Sequence, residues 1–91
     1  MNELMAKVEI YTQFFCPFCT RAVKLLRDKG VSFTEIDAPH GSAARREATA
    51  RSGGGTTMPQ IFIDNVAIGG CTELLALDRA GKLDPLLVTS G

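Results

Sequence analysis

Cys16-Pro17-Phe18-Cys19 stands between a stretch that alternates in twos and a stretch that repeats in threes and fours. That junction restricts the fold more than any other feature of the chain. Lys7 to Thr12 alternates polar and apolar residues and carries β-branched and aromatic side chains, so it predicts a strand. From Pro17 to Lys29 the pattern is helical: Cys19, Ala22, Val23 and Leu26 fall on one stripe, and Arg21, Lys24, Arg27 and Asp28 lie mostly off it. Pro17 suits the first turn, where a missing N–H removes no hydrogen bond. Gly30 supplies a stop. Cys16 therefore sits at or just before the helix start, and Cys19 one turn in, on the apolar face.

The rest of the chain continues in short alternating elements. Val31 to Asp37 predicts a second strand, and Pro39-His40-Gly41-Ser42 a turn whose Ser42 caps a helix from Ala43 to Arg51. Ser52-Gly53-Gly54-Gly55 ends that helix. Gln60 to Ile63 is a strand, Asp64-Asn65 a tight turn, and Val66 to Ile68 the returning strand. After Gly69-Gly70 a helix starts at Cys71 or Thr72 and ends at Gly81, and Asp84 to Val88 is a short apolar tail expected to pack on the core. The order β-α-β-α-β-β-α over residues 1–91 predicts one α/β domain, a four-stranded mixed sheet flanked by helices. Its first three strands, joined through helices, are expected to run parallel with right-handed crossovers.

Ten Lys and Arg balance ten Asp and Glu, so the chain lacks the basic field of a general nucleic-acid binder. At 45% hydrophobic residues it is not a disordered chain. No apolar run approaches the roughly 18 residues of a membrane span, and Met1 to Lys7 shows no leader pattern, so neither a membrane nor a secretory route is expected. Three cysteines, two of them crowded together, suit a reducing compartment better than a disulfide framework. The cytoplasm is the expected location.

A helix start offers unpaired N–H groups and the positive end of the helix dipole, both of which stabilise an anion. A free thiol with pKa about 8.5 is only roughly 3% thiolate at pH 7, so stabilising the anion multiplies the reactive fraction many-fold. Cys16 is thus the expected nucleophile and Cys19 the resolving thiol. The pair is also half of a structural zinc site, but only Cys71 and the lone His40 remain as further ligands, so no metal is expected. Cys71 by itself reads as a small, partly buried residue, His40 as a solvated turn residue, and Arg45-Arg46 as a solvated helix face.

Taken together, Cys16-Pro17-Phe18-Cys19, Thr57-Met58-Pro59-Gln60-Ile61-Phe62-Ile63 and Gly69-Gly70-Cys71-Thr72-Glu73 resemble a glutaredoxin. Leu77-Asp78 and Gly81-Lys82-Leu83-Asp84-Pro85-Leu86-Leu87 resemble the tail of the short bacterial dithiol glutaredoxins of the third type. The resemblance spans about Lys7 to Leu87. It implies a thioredoxin-like fold, glutathione as cosubstrate, and a cis Pro59 facing Cys16, where a trans bond is the ordinary state of an X-Pro pair. It implies that Met58 offers its backbone to the cysteinyl part of glutathione, with Thr57 and Phe18 beside it. It also implies that the N–H groups of Gly70, Cys71 and Thr72 hold the γ-glutamyl carboxylate. Without it, Gly69-Gly70 reads simply as a strand-to-helix break.

Three positions depart from the family pattern. Phe18 stands where Tyr is frequent, and Gln13 and Gly55 stand where basic residues are common. Those basic groups would hold the glycyl carboxylate of glutathione. Gln13 can still donate a hydrogen bond, and Arg46 is the candidate for the missing charge. The resemblance implies a monomeric, glutathione-dependent thiol–disulfide oxidoreductase that reduces protein disulfides and glutathionylated proteins, at roughly −200 to −230 mV. Two other functions compete: a carrier of a [2Fe–2S] cluster ligated by Cys16 and glutathione, and a thioredoxin that uses a reductase instead of glutathione.

Overall fold

A computed structural model describes residues 5–88. The alternating segment forms β1 (Val8–Thr12), and the apolar stripe behind the cysteines forms α1 (Pro17–Asp28). β2 (Thr34–Asp37), α2 (Ala43–Arg51), β3 (Gln60–Ile63), β4 (Val66–Gly69), α3 (Cys71–Arg79) and α4 (Leu83–Leu87) follow. The strands make one sheet in the order β2-β1-β3-β4. This is the thioredoxin-like arrangement, a mixed sheet with helices.

β1 runs parallel to β2, with Glu9 opposite Thr34 and Thr12 opposite Asp37. That register leaves Val31 to Phe33 without a partner on β1, so the second strand is shorter than its composition predicts. β3 corrects the sequence reading more seriously: it pairs antiparallel with β1, Val8 opposite Ile63 and Tyr11 opposite Gln60. The reason lies in the α2–β3 connection. Arg45, near the start of α2, donates to the carbonyl of Thr56 at 2.9 Å, while Arg51, at its far end, reaches Asn65 at 3.3 Å. The segment after α2 therefore doubles back beside the helix. Gly53 and Gly54 permit the reversal, with φ of 75° and 114°. β3 then enters the sheet at the end where β1 leaves it. β3 and β4 form a hairpin around Asp64 and Asn65, both left-handed at φ 51° and 66°, which matches the strand twist.

Because side chains alternate across a sheet, β1 and β3 serve two cores. Val8, Ile10, Ile61 and Ile63 pack with Ala22, Val23 and Leu26 of α1, Leu74 of α3, and Leu83 and Leu87 of α4. The apolar tail is thus a helix, its two buried leucines four residues apart. Its end is tied down by Ala6 N–H donating to the Leu87 carbonyl at 3.0 Å. Lys29, at the end of α1, ties down α3 and α4, pairing with Asp78 at 2.6 Å and Asp84 at 2.8 Å. On the other face Tyr11 and Phe62 meet edge to face, centroids 5.6 Å apart, in a cluster with Ala38, Ala48, Met58 and Cys19. Arg51 closes this cluster, its guanidinium 4.1 Å from the Phe62 ring centre, paired with Glu9 at 2.8 Å and donating to the Tyr11 hydroxyl at 2.9 Å. Tyr11 donates in turn to Glu47. No described helix is long and apolar enough to cross a membrane.

Candidate active site

Three chain segments converge where β1 ends. Cys16 is the N-cap of α1, with extended backbone (φ −116°, ψ 97°) and Pro17 next to it in the first turn. Its Sγ accepts the Cys19 N–H at 3.2 Å, the bond that a Ser or Asp oxygen makes at an ordinary helix start. Its carbonyl accepts the Thr20 N–H at 3.0 Å. The first turn of α1 carries no acidic residue, so nothing anionic on the helix opposes a negative sulfur. Cys16 is partly exposed and Cys19 is 4% exposed beneath it. The two are joined by a disulfide, with Cα atoms 5.2 Å apart.

The second segment is Thr57-Met58-Pro59. Its Met58–Pro59 bond is cis, and the Met58 carbonyl oxygen lies 3.8 Å from the Cys16 Sγ. The third is the β4–α3 junction. Gly69 has φ of 113°, and a side chain on Gly70 would meet the Pro59 carbonyl at 3.3 Å, so glycine allows the junction to close on the proline segment. Between these segments lies a cleft of about 370 Å³ lined by Phe18, Thr57, Met58, Gly70, Cys71, Thr72 and Glu73. Its floor includes the first turn of α3. Gly70 N–H is already taken, donating to the Glu73 carboxylate at 2.7 Å. The N–H groups of Cys71 and Thr72, first-turn groups with no intrahelical acceptor, are the donors left for an anion. Cys71 itself is 3% exposed, and burial pushes its thiol above the ordinary value, Glu73 adding slightly and Arg21 opposing.

Two residues expected at this cleft stand elsewhere. Gln13 faces the β2 side, where its side-chain oxygen accepts from Arg45 at 2.7 Å. Arg46 is exposed and turned back to the Gly41 carbonyl at 2.9 Å. The neighbouring arginine is the one tied to the site: Arg45 also donates to the carbonyls of Ala38 (3.1 Å) and Thr56 (2.9 Å). It thereby joins the loops after β1, after β2 and before β3. Helical phase carries the signal that separates the two. Ala44 and Ala48 face the core, which puts Arg45 about 100° round the helix and Arg46 about 200° round, on the far side. Glu73 is the second participant that motif reading passed over. Gly55, where the resemblance implies a basic residue, is closely flanked: a Cβ would lie 2.7 Å from the ends of both the Gln60 and the Ser52 side chains, which would have to shift to admit one. Cys71 and His40 do not gather with the cysteine pair; among the described residues no three metal-ligating side chains converge.

The Glutaredoxin family pattern matches residues 8–68, two thirds of the chain. Glutaredoxin 3 of Escherichia coli K12 is 58% identical over 83 residues, which covers 91% of this chain and 99% of that protein. The chain belongs to the glutaredoxin family. Glutaredoxins are glutathione-dependent disulfide oxidoreductases, and the redox-active Cys16–Cys19 pair is of that kind. Among solved structures, the glutaredoxin of Brucella melitensis is 50% identical with a TM-score of 0.81, covering 96% of this chain and 94% of that one. The buckwheat glutaredoxin solved in complex with glutathione is 28% identical with a TM-score of 0.79, covering 90% and 76%. The thioredoxin-like fold is thus shared across glutaredoxins of distant sources, and glutathione is a ligand of the buckwheat protein.

Proposed function

We propose that this glutaredoxin reduces glutathione mixed disulfides and protein disulfides, with Cys16 as nucleophile and Cys19 as resolving thiol. The observation that carries the assignment is the Cys16 Sγ: it accepts a helix-start N–H and stands 3.8 Å from the carbonyl oxygen of Met58, a residue that lines the cleft. In the reduced protein the Cys16 thiolate attacks the glutathionyl sulfur of a mixed disulfide. The old S–S bond breaks, and the substrate sulfur leaves as a thiolate and takes a proton from water. A second glutathione thiolate attacks the glutathionyl sulfur on Cys16, which frees oxidised glutathione and restores the Cys16 thiolate. The same N–H groups that stabilise the attacking anion make it a good leaving group in this second step.

Glutathione lies in the cleft in this reading. Its cysteinyl backbone pairs with Met58 as an added strand would, beside Thr57. Its γ-glutamyl carboxylate takes the N–H groups of Cys71 and Thr72, an anion at a helix N-terminus. Phe18 covers the apolar side. Gln13, whose side-chain oxygen is held by Arg45, does not line this cleft. With a protein disulfide, Cys16 attacks first; Cys19 then attacks the Cys16 sulfur, releasing the protein dithiol and forming the Cys16–Cys19 bond. Two glutathiones reduce that bond. Such chemistry belongs in a reducing cytoplasm, acts on protein partners rather than nucleic acid or membrane, and needs a single copy of the chain.

A glutathione-coupled assay tests the roles. Cys16→Ser abolishes turnover of every substrate, whereas Cys19→Ser keeps deglutathionylation and loses reduction of protein disulfides. Full activity in Cys16→Ser refutes the assignment. Visible absorption from an anaerobic preparation made with glutathione would instead favour the cluster-carrier function.

A further inference from the structure

Three phenylalanines surround Cys16, and the cleft just described uses only one of them. Phe14 is 81% exposed and Phe15 is fully exposed. Phe15 also holds φ of 54°, a left-handed backbone that costs a bulky L residue about 1–2 kcal/mol. A ring that buries nothing in the free protein, on a backbone that disfavours it, gives no return in folding. Strain of this kind collects where a partner is met. Beside Phe14 a second cleft of about 390 Å³ is lined by Thr12, Gln13, Phe14, Glu35 and Asp37. It shares no residue with the Phe18–Glu73 cleft. Glu35 and Asp37 are exposed on the edge strand β2, and neither is in an ion pair among the described residues.

Resting on the oxidoreductase reading above, we propose that Phe14, Phe15, Glu35 and Asp37 form the docking surface for protein substrates. They select an extended segment with apolar residues beside its reactive cysteine and a Lys or Arg beyond them. Geometry sets the order. The substrate sulfur must reach Cys16, so its neighbouring residues pass the segment next to Cys16 in the chain, which carries the exposed Phe15 and Phe14. Their ring centres are 6.4 Å apart. Side chains on one face of an extended segment repeat at about 6.6–6.8 Å, so two alternate apolar residues meet the two rings. One step further the segment reaches two carboxylates without an ion partner among the described residues, Glu35 being held by the Thr12 hydroxyl at 2.9 Å, and these take a cation whose alkyl stem lies along Phe14. In the deglutathionylation step the glutathionyl group occupies the first cleft and the protein thiolate departs from this surface, so both sites are filled at once.

The test uses the full chain and two substrates: glutathionylated cysteamine, and a glutathionylated blocked peptide Lys-Ala-Leu-Ala-Leu-Ala-Cys-Ala-Leu-Ala-Leu-Ala-Lys, which reads the same in both directions and puts its leucines and lysines on the face of the cysteine. Wild type turns over both, and kcat/KM for the peptide falls about tenfold, equivalent to about 1.4 kcal/mol, when serines replace its leucines. Phe14→Ser with Phe15→Ser lowers the peptide value by about tenfold and leaves the cysteamine value within about twofold, which also reports an intact nucleophile. Glu35→Gln with Asp37→Asn lowers it about threefold in dilute buffer, and the difference vanishes in about 0.5 M salt. Unchanged peptide kinetics in both double variants overturns the docking surface alone. An equal fall for both substrates overturns it too, since the rings then act on Cys16. Failure of wild type on glutathionylated cysteamine overturns the oxidoreductase reading and the surface with it. A wild-type dimer that the phenylalanine variant splits would assign the patch to a second copy of the chain and refute the proposal.

Discussion

Arg45 and Arg46 are adjacent, equally charged and in the same helix, yet replacing each with Met separates them sharply. Arg45 is half-buried and donates three hydrogen bonds, to Gln13 (2.7 Å), the Ala38 carbonyl (3.1 Å) and the Thr56 carbonyl (2.9 Å). A hydrogen bond from a charged donor contributes about 1.5–3 kcal/mol at a well-ordered site. The three share one side chain, and water reaches part of it, so they do not add. Arg45→Met is expected to cost about 2–3 kcal/mol, which in a domain of this size lowers Tm by about 10–20 °C. Met keeps the apolar stem, so the loss measures the guanidinium. Arg46 is exposed and reaches only the Gly41 carbonyl, and Arg46→Met stays within about 0.5 kcal/mol. Urea unfolding of the oxidised proteins reads the difference as a shift in midpoint at constant slope. Function follows through Thr56. The bond to its carbonyl steadies the strand entrance that carries Thr57 and Met58, so Arg45→Met raises KM for glutathione more than it lowers kcat. Gln13→Ala supplies the control, since its effect should shrink in the Arg45→Met background. Equal losses in the two arginine variants would refute the clamp, and so would an unchanged KM in a destabilised Arg45→Met protein.

Three further outcomes follow from single residues. The Arg51 guanidinium holds the Glu9 carboxyl below its ordinary value, chiefly through their hydrogen bonds. Its stabilisation is therefore complete above the unfolded-state value near 4.5 and is lost as pH falls through the lower folded value; Arg51→Met should flatten that acid limb of a pH–stability curve. Phe15→Asn relieves the left-handed strain and is expected to raise stability by about 0.5–1 kcal/mol in thermal unfolding, while lowering turnover of the leucine-rich peptide. In the reduced native protein a disulfide reagent should label Cys16 at least about a hundredfold faster than Cys71, whose thiol is buried and raised; comparable rates would place Cys71 in solvent.

What the sequence disclosed and what it concealed divide along a physical line. Features set by neighbours in the chain were legible. The strand–cysteine–helix junction, the Asp64-Asn65 hairpin and the stripe from Cys19 to Leu26 each follow from periodicity or turn chemistry within a dozen residues. The direction of β3 was not legible, because it depends on a loop folding back along α2, held by contacts from Arg45 and Arg51 to residues that helical periodicity does not mention. The same limit governed the site. Motifs located Cys16, the Met58–Pro59 bond and the start of α3, since each is a backbone arrangement with its own residue signature. They missed Arg45, which has no motif of its own and acts by joining three loops.

Charge placement around the cysteine pair shows why that distinction matters for chemistry. The resemblance implies basic residues where Gln13 and Gly55 stand, and the surroundings of the two positions differ. At 55 a Cβ would meet the ends of the Gln60 and Ser52 side chains, so a longer residue requires those two to move. At 13 the polar side chain is retained but its oxygen is committed to Arg45, which places the positive charge one residue further out. An anion arriving at Cys16 therefore meets backbone dipoles at the starts of α1 and α3, with Arg45 set back behind Gln13 and Arg21 as the nearer cation, 5.9 Å from the Phe18 ring centre. Dipoles act over the first turn only. With one nearby cation and otherwise short-ranged dipoles, the rate of capture of glutathione should depend only moderately on ionic strength. Asp37 and Glu35 act at the opposite edge, where exposed carboxylates make the approach of a basic protein segment strongly salt-dependent. Small and large substrates should thus separate by their salt dependence alone, before any residue is changed.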